Sequence, residues 1–287
     1  MRIIVTGARG YLGSALVPRL ESDGHVVVPF KGRVQNKGDW DDCPVADACI
    51  HLAAENNLYL AEEKPLHNYL VNFWGAMLAT HFCRTFGMKL IFASTDTVIG
   101  LDGLPCSVYD AHKLSAEKSM MSIPMWESVM LRFSTVYGPS PAESKEGRGI
   151  INRWVKMALR GESLKVYEGV ADKRRDYIHI DDVVSAFIKA LEAPKGVYNI
   201  CTGIGTMIWD MACLIAQEAL IKGNGKSGGV GRVPDPEGLN PIEYRTWIGD
   251  SHLFEWATGW KSQVSVQEGI QRTVETFRTE IATKVNG

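Results

Sequence analysis

The sequence lacks the features that mark membrane and secreted proteins. No uninterrupted apolar run approaches the roughly 18 residues that a membrane span requires. The first residues, Met1–Val5, form a strand-like run at once and leave no room for a signal peptide. We therefore expect a cytoplasmic protein without a membrane partner.

Paired cysteines and clustered histidines are also missing. The six cysteines, at positions 43, 49, 83, 106, 201 and 213, include no C-x-x-C pair. Most lie inside apolar runs such as Ala48-Cys49-Ile50, which favours reduced, buried side chains over disulfide or metal roles. The seven histidines show no ligand spacing. We therefore expect no metal site.

Charge of one sign is not in excess. The chain has 31 basic and 33 acidic residues, for a formal net charge of −2. Nothing in this balance favours nucleic acid or an anionic membrane as a partner. The hydrophobic content of 45% over 287 residues is that of a globular protein with a large core.

Short apolar runs alternate with helix-like segments through the first half of the chain. The predicted strands are Ile3–Thr6, His25–Phe30, Ala48–Ala53, Lys89–Ala93 and Val129–Phe133, and the predicted helices cover Tyr11–Leu20, 66–86 and 109–121. Strands that are buried on both faces read as continuous apolar runs, and their alternation with helices indicates βαβ units. The sequence therefore predicts an α/β fold with a Rossmann-type doubly wound parallel sheet.

The second half is less regular, with predicted helices over 149–160 and 182–191 and predicted strands at Leu164–Tyr167 and Tyr177–Ile180. Composition does not change sharply at any point, so a second domain is interleaved with the first. We expect a dinucleotide-binding domain over 1–160, to which about 176–201 returns. The smaller C-terminal substrate-binding lobe comprises 161–175 and 202–287.

A glycine turn follows the first predicted strand. Its sequence is Gly7-Ala8-Arg9-Gly10-Tyr11-Leu12-Gly13, and a helix-like segment comes next. Glycines permit a tight turn and a close approach of the backbone to a pyrophosphate, while the helix N-terminus favours its negative charge. The position between a strand and a helix is the context that this motif requires. We expect a dinucleotide to bind here.

Basic residues follow the second predicted strand, where an acidic residue would bind the ribose hydroxyl of NAD. This chain offers Lys31 and Arg33 instead, and Arg9 in the glycine turn could reach the same pocket. These cations favour a 2′-phosphate and therefore NADP(H), with NAD second. The alternative is that Lys31 and Arg33 are solvated loop charges.

A tyrosine and a lysine stand four residues apart at the start of a predicted helix, as Tyr109 and Lys113. This spacing places them on one helical face, where the ammonium can lower the pKa of the phenol. Thr95 follows a predicted strand at the edge where parallel sheets bind ligands. Its hydroxyl can hydrogen-bond a reacting oxygen. Taken alone, Thr95 is better explained by a simple turn at the strand end, but the glycine turn and the tyrosine–lysine pair favour the catalytic role.

Together these motifs resemble the extended short-chain dehydrogenases/reductases, the group of NAD(P)-dependent nucleotide-sugar epimerases, dehydratases and ketoreductases. The resemblance runs from residue 1 to about 275. The matching segments are Thr6–Gly13, Asp47–Ala54, Val71–Gly75, Ser94–Gly100, Tyr109–Lys113, Leu131–Pro139, Arg175–Asp182, Tyr198–Ile200 and Gly259-Trp260.

The resemblance implies roles for individual residues. The cofactor is expected to contact the glycine turn and Lys31, Arg33, Asp39, Trp40, Leu52, Ala53, Ala54, Tyr109, Lys113, Phe133 and Val136, with Asp39 and Trp40 flanking the adenine. The substrate is expected to contact Asp96, Thr97, Thr135, Arg175 and Arg245. Asn72 is expected to support the active-site helix. For Arg175, a salt bridge to the Asp181/Asp182 turn is an equal alternative.

Departures from the family pattern narrow the expected activity. The dehydratases carry a glutamate where this chain has Thr97, so dehydration is disfavoured. Thr135 replaces the asparagine that holds the nucleotide phosphate in relatives, and Ile99 replaces a tyrosine. The segment from Gly100 to Tyr109 is also short. The substrate can therefore differ from the commonest nucleotide sugars.

We expect an NADP(H)-dependent ketoreductase that acts on a keto-sugar, with Tyr109 donating the proton and Thr95 steadying the oxygen. A nucleotide-sugar epimerase is the first alternative, and a non-catalytic NADP-binding redox sensor is the second. The partner is a small sugar or nucleotide sugar. Relatives form dimers through helices matching 66–86 and 109–121, so we expect a homodimer, although core packing explains the same apolar residues.

Overall fold

The computed structural model describes residues 1–100, 103–123, 127–141, 149–222 and 228–285. The strands are β1 (Arg2–Thr6), β2 (Val26–Pro29), β3 (Ala48–His51), β4 (Lys89–Thr95), β5 (Ser128–Phe133), β6 (Thr135–Tyr137), β7 (Leu164–Tyr167), β8 (Arg174–His179), β9 (Gly196–Ile200), β10 (Gly205–Met207) and β11 (Val230–Val233).

The α-helices are α1 (Tyr11–Ser22), α2 (Lys37–Asp41), α3 (Leu58–Glu63), α4 (Pro65–Asn68), α5 (Gly75–Thr85), α6 (Val108–Met121), α7 (Gly149–Leu159), α8 (Ile180–Ala190), α9 (Ile208–Lys222), α10 (His252–Thr258) and α11 (Val266–Val285). A π-helical segment, Tyr69–Trp74, joins α4 to α5. Two 3-10 turns cover Asp96–Val98 and Pro241–Tyr244.

The larger sheet is wholly parallel and confirms the predicted fold class. Within the described residues it has six strands, in the order β2-β1-β3-β4-β5-β9. The chain runs outward from β1 to β2 and then crosses back to β3 on the other side of β1. Such a switch in strand order opens a crevice at the carboxyl ends of the strands. The segments that follow β1 and β3 therefore lie at the predicted ligand-binding edge.

The apolar runs of the sequence become the buried strands of this sheet. All four residues of β3 are buried, as are five of the seven in β4, as expected for strands covered on both faces. One core cluster joins strand residues such as Ile4, Cys49 and Leu90 to Ala79 and Phe82 of α5. This packing holds the carboxyl ends of the strands in fixed register.

The chain divides into two compact units. The first comprises Met1–Phe133, Val184–Ile200 and Asp250–Lys261, and the second comprises Ser134–Val183, Cys201–Gly249 and Ser262–Gly287. The first unit thus ends earlier than the expected 160 and gains a C-terminal segment. The physical reason is α7, whose Trp154 and Val155 pack in a core with residues of α9 and α11 and not on the larger sheet.

The second unit has two small sheets of its own. In the described residues, β8 pairs antiparallel with β10 and parallel with β6, while β7 pairs parallel with β11. Its core includes Tyr177 of β8, Ile215 of α9 and Phe277 of α11. The unit is therefore built around its own hydrophobic centre.

All six cysteines are free thiols, three of them fully buried. Among the described helices, none has the length and apolar character needed to cross a membrane. The described residues also contain no group of three or more histidine, cysteine or acidic side chains arranged to hold a metal ion.

Candidate active site

The glycine turn between β1 and α1 has no room for a side chain at Gly7 or Gly13. Gly7 has a φ of +66°, and a Cβ placed on it would lie 2.9 Å from the Ala53 nitrogen. A Cβ on Gly13 would lie 2.2 Å from the Gly7 oxygen. Helix α1 follows, its N-cap Gly10 has no side-chain cap, and its first turn has no acidic residue. This bare backbone cradle at a helix N-terminus fits a pyrophosphate.

Thr6 ties the ends of β1 and β3 together. Its Oγ1 accepts hydrogen bonds from the Leu52 and Ala53 nitrogens, both at 3.1 Å, and lies 3.1 Å from His51 Nδ1. Burial lowers the pKa of His51 to about 3, and the charge of Lys113 acts in the same direction. The ring is therefore neutral. Thr6 and His51 were not predicted as site residues, yet they hold Ala53 beside Gly7.

Asn72 fixes the segment that follows β3. Its Oδ1 accepts from the Glu55 nitrogen at 3.1 Å and its Nδ2 donates to the Glu55 oxygen at 2.8 Å. Asn68 also donates to that oxygen, and its own Oδ1 lies 2.8 Å from His112 Nδ1 on α6. Asn68 thus contacts the active-site helix through its side chain, and support of that helix by Asn72 stays a prediction. The π-helical turn brings both amides onto Glu55, and such turns are frequent at functional sites.

Helix α6 begins just before Tyr109 and is held at its N-terminus. Ser107 Oγ accepts from the Asp110 nitrogen at 3.1 Å, and Glu62 Oε1 accepts from the Val108 nitrogen at 2.9 Å. Two oxygen acceptors thus satisfy N–H groups that the first helical turn leaves open. They fix the half-buried Tyr109 in position.

Lys113 lies on α6 four residues after Tyr109, and its side chain is buried. Its Nζ donates to the Ala93 oxygen at 2.7 Å and lies 4.3 Å from the centre of the Phe92 ring. Burial lowers the pKa of Lys113 to about 7, and the carboxylate of Glu117 acts in the opposite direction. This hydrogen bond ties the Lys113 side chain to β4.

Tyr109 is a weaker acid than the spacing predicted. Burial raises the pKa of its phenol, and the carboxylates of Asp110 and Asp96 raise it further. The expected lowering by Lys113 is not found, because burial, and after it the two carboxylates, raise the pKa of the phenol. The phenol is thus protonated at neutral pH. It can donate a hydrogen bond and a proton.

Thr95 and Thr97 join Tyr109's neighbour Asp110 in a line of hydrogen bonds. The Thr95 and Thr97 hydroxyl oxygens are 2.8 Å apart, and Thr97 donates a short hydrogen bond to Asp110 Oδ1. Thr95 Oγ1 also accepts from the Thr97 nitrogen at 3.3 Å, as the simple-turn interpretation requires. Asp110 is fully buried and was not predicted as a site residue.

Three exposed cations lie in the turns that follow the first two strands. Arg9, Lys31 and Arg33 are exposed, and none takes part in an ion pair among the described residues. Because β1 and β2 are parallel neighbours, the turns that carry these residues leave the same sheet edge. Asp39 Oδ2 accepts from the Arg33 nitrogen at 2.7 Å. It thereby braces the loop that presents Lys31 and Arg33.

Trp40 does not lie where the resemblance implied. Its indole is 3% exposed, donates to the Val34 oxygen at 2.9 Å and packs against Phe30 and Phe82. We correct this expectation: the ring belongs to the core and offers no surface to an adenine. Phe133 is likewise buried and packs on Phe187, with ring centres 5.0 Å apart.

The model of the NAD dependent epimerase/dehydratase family matches residues 3–201. The chain belongs to this family. It is 28% identical to UDP-glucose 4-epimerase from Mycolicibacterium smegmatis, over 98% of this chain and 99% of the relative. It is 25% identical to GDP-6-deoxy-D-mannose reductase from Pseudomonas aeruginosa, over 98% of each chain.

A solved structure supports the same assignment. The UDP-glucose 4-epimerase of Thermus thermophilus, in complex with NAD, superposes with a TM-score of 0.81 at 26% identity, over 97% of this chain and 99% of that one. The family match, the relatives and the cradle after β1 together confirm an extended short-chain dehydrogenase/reductase. The chain is an enzyme that uses a nicotinamide dinucleotide.

The predicted site residues of the second unit each have their own surroundings. Thr135 and Val136 are half-buried in β6. Arg175 donates to the Ile242 and Glu243 oxygens at 3.1 and 2.7 Å, and Arg245 lies with its guanidinium 5.4 Å from the Trp247 ring centre. Substrate contact by Thr135, Arg175 and Arg245 stays a prediction, as does the cofactor contact expected of Val136.

The alternative for Arg175, a salt bridge to the Asp181/Asp182 turn, is not found among the described residues. Asp181 pairs with Arg272 at 3.2 Å. Asp182 accepts from two backbone nitrogens, of Gln263 and Val264. Both carboxylates are therefore engaged elsewhere.

A buried ion pair between Arg132 and Glu117 links strand β5 to helix α6, which carries Tyr109 and Lys113. Arg132 on β5 donates through Nε to both oxygens of Glu117 on α6, at 3.0 and 3.1 Å, and Ser94 on β4 donates to Oε1. Glu117 is fully buried, and the Arg132 side chain is 16% exposed. The pair ties α6 to the two strands that carry the site.

Replacing Glu117 by glutamine should destabilise the enzyme by about 3–5 kcal/mol, because it leaves the Arg132 charge buried without its partner. Urea unfolding would measure this loss. The control is Asp23→Asn, which breaks the exposed Arg19–Asp23 pair and should cost less than about 1 kcal/mol. Equal effects of the two variants would show that the buried pair does not stabilise the fold.

Proposed function

We propose that the enzyme is an NADP(H)-dependent ketoreductase that acts on a keto-sugar linked to a nucleotide. The observation that carries the proposal is the position of Tyr109 at the start of α6, where Ser107 and Glu62 hold the helix end and Lys113 follows four residues later. Reduction of a carbonyl requires an acid beside the oxygen that becomes the alkoxide. The reductase from Pseudomonas aeruginosa, similar over 98% of both chains, supports this choice.

Each residue of the site then has a defined task. When bound, the dinucleotide supplies the hydride for the carbonyl carbon. The backbone of the glycine turn and the start of α1 hold the pyrophosphate. Tyr109 donates its proton to the reacting oxygen. Lys113, which has three donor hydrogens and gives one to Ala93, keeps others for the ribose hydroxyls.

The ratio of NADPH oxidised to keto-sugar reduced tests the proposal. Nucleotide-linked keto-sugars should oxidise NADPH in equal amounts, measured as loss of the reduced-nicotinamide absorbance with product analysis by mass spectrometry. Interconversion of UDP-sugars without any change in that absorbance would contradict it.

The second candidate is a nucleotide-sugar epimerase. It is favoured by the UDP-glucose 4-epimerase from Mycolicibacterium smegmatis, which matches 98% of this chain. An epimerase oxidises a sugar carbon and reduces it again, so that it regenerates its cofactor. Conversion of UDP-glucose to its 4-epimer without added NADPH would establish this activity.

The choice of NADP(H) rests on the exposed cations after β1 and β2. Replacing Lys31 and Arg33 together by alanine should weaken NADP⁺ binding roughly 10–100-fold, since charged hydrogen bonds are worth about 1.5–3 kcal/mol. NAD⁺ binding should stay within about threefold, because NAD⁺ lacks the 2′-phosphate. Calorimetric titration measures both. Lys118→Ala, which removes an exposed charge of α6, is the control, and unchanged NADP⁺ affinity in the double variant would contradict the proposal.

A homodimer is also proposed. Tyr69 and Trp74 of the π-helical segment and Met121 of α6 are half exposed, at 37%, 42% and 54%. Light scattering after gel filtration would show twice the chain mass if these apolar side chains are covered by a second copy. Met120, in contrast, is buried in the core. The cytoplasmic location stays a prediction.

A further inference from the structure

A series of hydrogen bonds links the active-site helix α6 to the segment that follows β3. His112 of α6 has its Nδ1 2.8 Å from Oδ1 of Asn68 in α4, and Asn68 Nδ2 donates to the Glu55 oxygen at 3.1 Å. Asn72 donates to the same oxygen at 2.8 Å and accepts from the Glu55 nitrogen at 3.1 Å. Neither His112 nor Asn68 has a task in the proposed reaction.

The chemistry of the groups fixes the hydrogen between His112 and Asn68. A side-chain amide has one oxygen that accepts and one nitrogen that donates. Because the nitrogen of Asn68 donates to the Glu55 oxygen, the amide oxygen faces His112 and can only accept. Turning the amide over would place two oxygens against each other at Glu55. His112 must therefore carry a hydrogen on Nδ1.

The surroundings of His112 hold the ring in this orientation. Tyr69 of the π-helical segment meets the imidazole edge to face, with ring centres 5.6 Å apart. Burial lowers the pKa of His112 from its ordinary value, so the half-buried ring is neutral at neutral pH. A neutral imidazole has a single N–H group. In this enzyme that group is used on Asn68.

The series ends on the segment that is expected to line the cofactor. Thr6 holds the beginning of this segment through the Leu52 and Ala53 nitrogens, and the side-chain amides of the series hold its far end at Glu55. Asn68 is fully buried, so loss of the imidazole would leave its oxygen without a donor. The hold on the far end thus depends on a side chain of α6.

Tyr109 lies between two ties of this kind. Glu62 of α3 accepts from the Val108 nitrogen at 2.9 Å, just before Tyr109. His112 makes the second tie one helical turn later, through Asn68. The turn of α6 that carries the phenol is therefore fixed on both sides to the elements that follow β3.

We propose that His112 is a positioning residue, which through Asn68 sets the distance between the Tyr109 hydroxyl and the nicotinamide. The inference rests on the proposed function, in which hydride transfer and proton donation act on one carbonyl group. Both steps require that the reacting atoms are aligned closely. His112 acts through Asn68 and need not touch either ligand.

NMR of the ring nitrogens locates the hydrogen directly and needs no ligand. With the seven histidines labelled isotopically, proton–nitrogen correlations separate rings protonated on Nδ1 from rings protonated on Nε2. We expect Nδ1–H for His112 at neutral pH, with its signals identified by their loss in His112→Asn. A ring protonated on Nε2 at this position would overturn the proposal. The proposed function would still stand, because Tyr109 can donate its proton without this tie.

Two substitutions of His112 test the consequence for catalysis. Asparagine places an amide N–H near the position of Nδ1, whereas leucine offers no donor. His112→Leu should lower kcat about 10–100-fold, the cost of a misplacement of about 1 Å. NADPH affinity should stay within about threefold, because the glycine turn that holds the pyrophosphate is untouched. His112→Asn should keep kcat within about threefold of the parent, because it keeps the donor.

A merely structural role for His112 would lower the melting temperature but leave the hydride step unchanged. The isotope effect on kcat, with NADPH deuterated at the transferred position, separates the two roles. A misaligned hydride step limits turnover more strongly, so we expect a larger isotope effect in His112→Leu than in the parent. The control is His252→Leu, which removes an exposed imidazole of α10 and should keep the parent values.

Parent-like kcat and isotope effect in His112→Leu would overturn the proposal. Failure of every protein, the parent included, to oxidise NADPH with a keto-sugar would instead contradict the proposed function. The NMR spectrum would still decide on which nitrogen His112 carries its hydrogen.

Discussion

Replacing Tyr109 by phenylalanine is expected to lower kcat by about 10²–10⁴-fold, the usual contribution of a general acid. The variant removes only the hydroxyl, and Ser107 and Glu62 still hold the start of α6. Dinucleotide affinity should therefore stay within about threefold, since the glycine cradle is untouched. Steady-state kinetics and a calorimetric titration with NADPH measure the two quantities.

The matched control is Tyr59→Phe, because Tyr59 is 64% exposed on α3 and lies outside the hydrogen-bond series. That variant should retain the parent kcat. If Tyr109→Phe kept full turnover as well, the assignment of the acid would be wrong. A joint loss of turnover and dinucleotide affinity would instead indicate that the ring is needed to shape the binding site.

Replacing Gly13 by alanine is expected to weaken dinucleotide binding at least about 100-fold, or roughly 3 kcal/mol. The added Cβ would lie 2.2 Å from the Gly7 oxygen and 2.7 Å from the Ala8 Cα. Both neighbours are backbone atoms, so no side chain can rotate away and the turn itself must open. The N–H groups that face the pyrophosphate would then lose their common orientation.

Gly38→Ala is the control for this substitution. A Cβ on Gly38, within α2, meets no atom within 4 Å and requires no unusual φ. The Gly38→Ala variant should therefore bind the dinucleotide as tightly as the parent enzyme does. Parent-like affinity in Gly13→Ala would mean that the turn after β1 is not the pyrophosphate site.

The strands and the glycine turn could be predicted because their signals are local. A continuous apolar run such as Ala48–His51 is buried on both faces wherever helices flank it. A strand, three spaced glycines and a helix in sequence define the turn almost alone. The second unit was less predictable, since the place of α7 depends on contacts with α9 and α11, far along the chain.

Trp40 and Lys113 show where local signals fail. The family resemblance implied that Trp40 flanks the adenine, but its ring packs against Phe30 and Phe82 in the core. The spacing of Tyr109 and Lys113 placed both on one helical face. It did not reveal that the ammonium bonds to Ala93, or that burial, together with the carboxylates of Asp110 and Asp96, raises the pKa of the phenol.

The contact between Thr97 and Asp110 was missed although a signal for part of it exists. Ser107 and Asp110 have the spacing of a capping box, which predicts a helix that begins at 108 and an acidic side chain in its first turn. Which group meets that carboxylate depends on how the 3-10 turn after β4 meets α6. Only the folded structure contains that information.

A crystal structure of the enzyme with NADPH tests the central claim most directly. We predict the pyrophosphate against the backbone of Gly7–Gly13 and the start of α1, with the hydroxyl of Tyr109 facing the nicotinamide. A dinucleotide bound elsewhere, or a Tyr109 ring turned away from the nicotinamide, would contradict the account.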